Sequence, residues 1–239
     1  MDYHFSNRVS ALKPSAIREI LKHTANPEVI PFAAGNPAAD AFPKEAIKKI
    51  SEEILSSDPI GALQYSVTEG YVPLRNRLKK ELAAKNCFKE GRDDLIITSG
   101  AQQANELACK VLCSDGDTLI CESPCFIGSL NSFKSYNVNL VGVELEDDGI
   151  NLEKLEETIK TSKSVKLLYL IPNFQNPTGL TMSLEKRKAV YELAKKYDFI
   201  ILEDNPYGDL RFKGEEIPSI KSMDTEGRVI YSRTFSKIL

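Results

Sequence analysis

The chain contains no tryptophan, three methionines and only two histidines, His4 and His23, in 239 residues. So few histidines leave little room for a Ser-His-Asp or Cys-His catalytic system. Of the five cysteines, Cys87, Cys109, Cys113, Cys121 and Cys125, Cys109 and Cys113 stand four apart on a predicted helix, a conceivable metal half-site, but no histidine lies nearby. They read as free thiols of a reducing compartment, and no bound metal is expected. A formal net charge of -3 provides no basic footprint for nucleic acid or acidic membranes. No apolar run approaches a membrane span, and Met1 to Ser10 lack the apolar core of a signal peptide, so the chain reads as cytoplasmic. Internal repeats, low-complexity stretches, G-x-G-x-x-G and G-x-x-x-x-G-K-[ST] are missing too, which sets aside nicotinamide and P-loop sites. What remains is an ordinary globular balance, 42% hydrophobic and 27% charged, long enough for one large domain with a small appendage.

The first 59 residues are turn-rich, with short helical signals over Pro14 to Lys22 and Lys44 to Leu55. In the second, Ala46, Ile47, Ile50, Ile54 and Leu55 form an apolar stripe. Another helix is predicted over Val72 to Lys85. From Asp94 onward, short apolar strands alternate with amphipathic helices. Strands are predicted at Leu95 to Thr98, Thr118 to Cys121, Leu140 to Val143, Val165 to Ile171, Phe199 to Leu202 and Val229 to Ser232. Helices are predicted at Gln102 to Cys113, Ile127 to Lys134, Leu152 to Lys160 and Ser183 to Tyr197, the last with Ser183 as N-cap. This alternation predicts an α/β fold with a largely parallel sheet covered on both faces. Ligands of such sheets bind beyond the carboxyl ends of the strands.

Four strand ends hold polar groups. Ser99-Gly-Ala-Gln-Gln103 leads straight into a helix and reads as an ordinary cap or as an anion site. Pro172-Asn-Phe-Gln-Asn-Pro-Thr-Gly179 is a good turn former, and Glu203-Asp204-Asn-Pro-Tyr207 puts carboxyls after an apolar strand, where they need pairing. Arg233-Thr-Phe-Ser-Lys237 ends in a lysine, an unremarkable surface residue on its own. Together these segments offer a phosphate site, an amide, an acid, a phenol and an amine at one sheet edge. Pyridoxal phosphate, with its phosphate, ring nitrogen, phenolic oxygen and aldehyde, matches each part.

The same segments, with Gly35-Asn-Pro37, Phe42-Pro43, Leu63-Gln-Tyr-Ser66 and Gly70, resemble the class I/II aminotransferases, which are fold-type I pyridoxal-phosphate enzymes. The resemblance covers nearly the whole chain and is nearest to the 2-aminoadipate and kynurenine aminotransferase branch. It implies a three-layer α/β/α fold with a mostly parallel mixed sheet, incomplete at the C-terminus. Residues 1–59 would be an N-terminal arm and part of a small domain, and residues 60–239 the large cofactor-binding domain. Transamination would proceed between an amino acid and a 2-oxo acid, 2-oxoglutarate being the expected acceptor. Lys237 would carry the cofactor as a Schiff base and move the proton, with burial and the nearby pyridinium lowering its pKa. Asp204 would pair with the ring nitrogen, and Asn176 and Tyr207 would bond the phenolic oxygen. Phe126 would stack on the ring. Ala101 and Gln102 would contact the phosphate through the main chain, Gln102 through its side chain as well, with hydroxyls of Thr234 and Ser236 added. Tyr65 would reach the phosphate of a neighbouring subunit, implying a homodimer. Gly35 and Asn176 would meet the substrate carboxylate.

The chain stops two residues after Lys237, where family members continue through a further strand and a small domain. Exposed backbone edges and apolar surface are therefore expected, and poor activity of the chain by itself. Two other readings share the same cofactor residues: a fold-type I cysteine–sulfur β-lyase, and an aminotransferase-like regulator domain without enzyme activity.

Overall fold

The computed structural model describes residues 4–10, 26, 28–30 and 38–238. Gly35 and the helix expected over Pro14 to Lys22 lie outside the described residues. After one helical turn, α1 (Asn7–Ser10), come α2 (Lys44–Ser57), α3 (Pro59–Leu63) and α4 (Val72–Ala84). The alternating part then runs α5 (Ala101–Leu112), β1 (Thr118–Ser123), α6 (Ile127–Lys134), β2 (Asn139–Glu146), β3 (Gly149–Ile150), α7 (Leu152–Thr161) and β4 (Val165–Leu170). It ends with α8 (Leu184–Tyr197), β5 (Ile200–Asp204), a 3-10 turn at Gly208–Leu210, α9 (Ile220–Met223) and β6 (Val229–Ser232).

The six strands form one sheet in the order β3-β2-β1-β4-β5-β6. All neighbours are parallel except the short β3, which pairs antiparallel with β2. The sheet is thus mixed but mostly parallel, as expected. Strand pleating sends alternate residues to opposite faces. On β4, Leu168 and Leu170 join a core covered by α7, α8 and α9, whereas Leu167 and Tyr169 join a second core covered by α5 and α6. This makes three layers. Both faces being covered, β4 reads as a near-continuous apolar run. Each such Leu, fully buried, contributes about 2 kcal/mol. Helix α8 starts as expected, with the Ser183 hydroxyl accepting from the Lys186 N–H, and buries Val190 and Ala194.

One expectation is corrected. Leu95 to Thr98 forms no strand; the Ile97 N–H donates to the Glu69 carbonyl at 2.9 Å. A strand needs a neighbour, and a cavity of about 500 Å³ lies between this segment and Val229–Arg233. Ile96 on one side and Ile230 on the other are 55% and 38% exposed, in line with the expected apolar edge. On α2 the stripe residues Ile47, Ile50, Ile54 and Leu55 are all exposed. Periodicity marks that face as apolar, but its sequence neighbour α3 is itself exposed, with no residue buried. The two-residue β3 and the four-residue α9 are too short for a periodic signal and were not expected. Among the described residues no helix is long and apolar enough to cross a membrane.

Candidate active site

The chain leaves β1 for β2 on one side and returns through β4 on the other, so the strand order reverses here, the place where sheets of this kind bind ligands. The loops after β1 and β4 carry Phe126 and Asn176, and the register aligns Asp204 at the end of β5 with Ser232 at the end of β6. The period of two decides between the adjacent carboxyls of β5. Glu203 points toward α9, where the Ile220 and Lys221 backbone N–H groups donate to it at 3.0 and 2.8 Å. Asp204 points the other way, toward α5 and α6.

Asp204 is 4% exposed. Its Oδ2 accepts from Asn105 Nδ2 at 2.9 Å and from the Tyr169 hydroxyl at 2.8 Å. Ser129 Oγ lies 3.0 Å from the Tyr169 hydroxyl and accepts from Asn105 Nδ2 at 3.1 Å. Burial raises the Asp204 pKa, while the Asn105 and Tyr169 bonds pull it back. Burial, then the Asp204 charge, raises the Tyr169 phenol well above its ordinary range, so the proton stays on tyrosine. Asp204 Oδ1 and Asn105 Oδ1 are buried and meet no donor among the described residues. A buried carboxylate with one open oxygen calls for a cation that can also donate. A protonated ring nitrogen meets both needs, so the pocket suits the pyridine of pyridoxal phosphate.

Helix α5 opens at Gly100, φ +80° and ψ 166°, with no side chain capping it. The first N–H groups of a helix have no intrahelical partner and point at whatever anion lies before them. Ala101 and Gln102 stand at these positions. The side chain of Gln102, expected at the phosphate, is instead turned into α6. Its Nε2 donates to the Gly128 carbonyl at 3.0 Å and to the Ser132 hydroxyl. A side-chain amide adjacent to a neighbouring helix finds acceptors there, which leaves only the main chain of Gln102 for an anion. Across from α5, the Thr234 hydroxyl donates to Ser236 Oγ at 2.9 Å. Gly100, Thr234 and Ser236 share the lining of a cavity of about 280 Å³.

Asn176 Nδ2 donates to the Tyr207 hydroxyl at 3.1 Å, so the loops after β4 and β5 bring the expected pair together. Phe126 is the N-cap residue of α6 and packs against the same core as Tyr169. Gly128 makes room for it, since a Cβ there would lie 2.5 Å from the ring. Gln175 ties the two loops, its Nε2 donating to the Pro124 carbonyl at 2.8 Å and to Glu122 at 3.2 Å. Arg187, fully buried, directs its five N–H groups at Met182, Pro172, Asn173, Ile217 and Pro218 oxygens, which anchors the base of the Asn176 loop.

Lys237 lies in the turn after β6 and is exposed rather than buried as expected. An Arg233–Asp209 ion pair joins its loop to the one carrying Tyr207. Tyr65 is 99% exposed and lies on the segment after α3. Asn105, Ser129, Tyr169, Gln175 and Arg187 were not anticipated. Their signal was a polar group on a face otherwise apolar: Asn105 shares its helix face with Ala101, Ala108 and Cys109, and Tyr169 interrupts an aliphatic strand.

Residues 27–239 match the family described as aminotransferase class I and II. Aromatic-amino-acid aminotransferase 1 of Thermococcus litoralis is 44% identical over 245 residues, covering 100% of this chain and 59% of the relative. The 2-aminoadipate transaminase of Thermus thermophilus is 34% identical over 98% of this chain and 58% of its own length. The solved structure of Pyrococcus horikoshii kynurenine aminotransferase, in complex with PMP, superposes with a TM-score of 0.92 at 42% identity. It is matched over 98% of this chain and 59% of its own. The chain thus spans about three fifths of the length of these relatives, and across that span it belongs to the class I and II aminotransferase family.

Proposed function

We propose that the protein transfers the amino group of an amino acid to a 2-oxo acid using pyridoxal phosphate, with Lys237 as the residue that binds the cofactor. The observation that carries this reading is the buried Asp204, held by one oxygen and open at the other, on the sheet edge that also bears Asn176, Tyr207 and Lys237. When bound, pyridoxal phosphate supplies an aldehyde that links to amines and a ring that accepts the electron pair left as a Cα proton departs.

The protein's residues do the rest. The Lys237 amine takes the proton from the substrate Cα and returns it on the far side of the transfer. Asp204 balances the positive charge of the ring nitrogen, which matters most when the electron pair arrives. Asn176 and Tyr207 donate toward the phenolic oxygen, and Phe126 covers one ring face. The Ala101 and Gln102 N–H groups, with Thr234 and Ser236, hold the phosphate. Gly35 and Asn176 receive the substrate carboxylate. Tyr65, wholly exposed within one chain, reaches the phosphate of a second copy, so the working unit is a homodimer. The amino donor is aromatic or 2-aminoadipate, in keeping with the substrates named for the relatives, and the acceptor is 2-oxoglutarate.

The test is an absorption spectrum of the protein with pyridoxal phosphate, before and after adding 2-aminoadipate. The lysine-bound cofactor band should appear, shift on addition of the amino acid, and vanish in Lys237→Ala. A band unchanged by that substitution refutes the role of Lys237. Release of pyruvate and ammonia from a cysteine conjugate, without amino transfer, would place the protein among the lyases.

A further inference from the structure

We propose that Asn105, Ser129 and Tyr169 are positioning residues that lock Asp204 in one orientation, leaving a single carboxylate oxygen to meet the ring nitrogen of the cofactor. The inference rests on the reading of Asp204 given above and adds how this chain orients that group.

The four side chains come from four elements, α5, α6, β4 and β5, and close into one ring of hydrogen bonds. The donors can be traced around it. Asn105 has two N–H groups, one for Ser129 Oγ and one for Asp204 Oδ2. Tyr169 has one O–H, and it goes to Asp204 Oδ2. Ser129, already accepting from Asn105, then donates its own O–H to the Tyr169 oxygen, 3.0 Å away. Every proton in the ring has an acceptor when Asp204 is ionised. A proton on Oδ2 would reverse the Tyr169 bond and strand the Ser129 hydroxyl.

Turning the Asn105 amide over would set its oxygen against the carboxylate, so its orientation is imposed as well. Two donors on one oxygen fix the plane of the Asp204 carboxyl. Rotation would bring Oδ1 under Asn105 and Tyr169 only by repeating the same arrangement. Either way, one carboxylate oxygen is left without a donor. Asn105 also sits one helical turn after Ala101, so the helix that offers its N-terminus to a phosphate also orients the carboxylate for the ring.

The experiment compares the affinity of the protein for pyridoxal phosphate with that for its 1-deaza analogue, in which carbon replaces the ring nitrogen. The parent protein should prefer the natural cofactor, and Asp204→Ala should abolish that preference. Tyr169→Phe and Asn105→Ala should each lower the preference by on the order of tenfold, because each removes a hydrogen bond to a charged group. Ser129→Ala, the mildest change, should lower it less. Affinity for the analogue should stay near that of the parent in all three. If Tyr169→Phe and Asn105→Ala weaken both ligands alike, their role is general packing and the inference is overturned, while the reading of Asp204 stands. If Asp204→Ala keeps the preference, Asp204 does not face the ring nitrogen, and both fall.

Discussion

Replacing Glu122 by glutamine should remove much of the pH dependence of the chain's stability. Glu122 ends the apolar run of β1 and is buried, accepting from the Ile171 N–H at 3.1 Å and from Gln175 at 3.2 Å. Burial pushes its carboxyl up to about 8 from an ordinary 4.5; the two bonds oppose the shift and the Asp204 charge reinforces it. Between those values the folded chain keeps a proton that the unfolded chain has lost. Stability is therefore fully present below pH 4.5 and declines as the pH rises through about 8. At about 1.36 kcal/mol per pH step, the decline reaches about 5 kcal/mol, comparable with the whole stability of many domains. Glutamine has the same shape, keeps an oxygen for both donors and cannot ionise. Parent and variant should match to within about 1 kcal/mol at the acid end and diverge steadily above it. With a urea slope of about 2 kcal/mol per M, the midpoints should separate by roughly 2 M at the alkaline end. Far-ultraviolet circular dichroism suits the assay, since the chain has no tryptophan. Asp204 and Glu203 are also raised and tilt both profiles in the same sense, so the informative quantity is the difference between them. Profiles that run parallel would show that Glu122 ionises at an ordinary pH, and the argument from burial would fail.

Gly128→Ala should push the Phe126 ring aside, because the added carbon would lie 2.5–2.6 Å from it. A loss of about 1–3 kcal/mol is expected, with weaker cofactor binding; an unchanged melting temperature and affinity would show that the ring moves freely. Arg187→Met leaves five buried oxygens without their donor and should destabilise by about 3–5 kcal/mol in urea unfolding. A near-neutral result would mean that water replaces the guanidinium.

Much of the site was legible because a parallel sheet aligns its strand ends. Once the strands were located, the groups just after them, Asn176, Asp204 and the segment leading to Lys237, had to share one edge. Helix α8 was equally plain, since Ser183 and the Val190–Ala194 spacing are local signals. The Leu95–Thr98 strand was misjudged, and the exposure of the α2 stripe was not legible, for a common reason. Periodicity records that a face is apolar or a segment extended, and says nothing about whether a neighbour arrives to cover it.

The alternation of strand and helix, the polar strand ends and the family motifs were settled by the sequence, because each depends on residues a few positions apart. The tertiary structure alone decided that Gln102 turns into α6, that Glu203 and Asp204 face opposite layers, and that Asn105 holds an acid 99 residues away. Such hydrogen bonds depend on where separate elements come to rest against one another, and no local pattern in the chain encodes that distance.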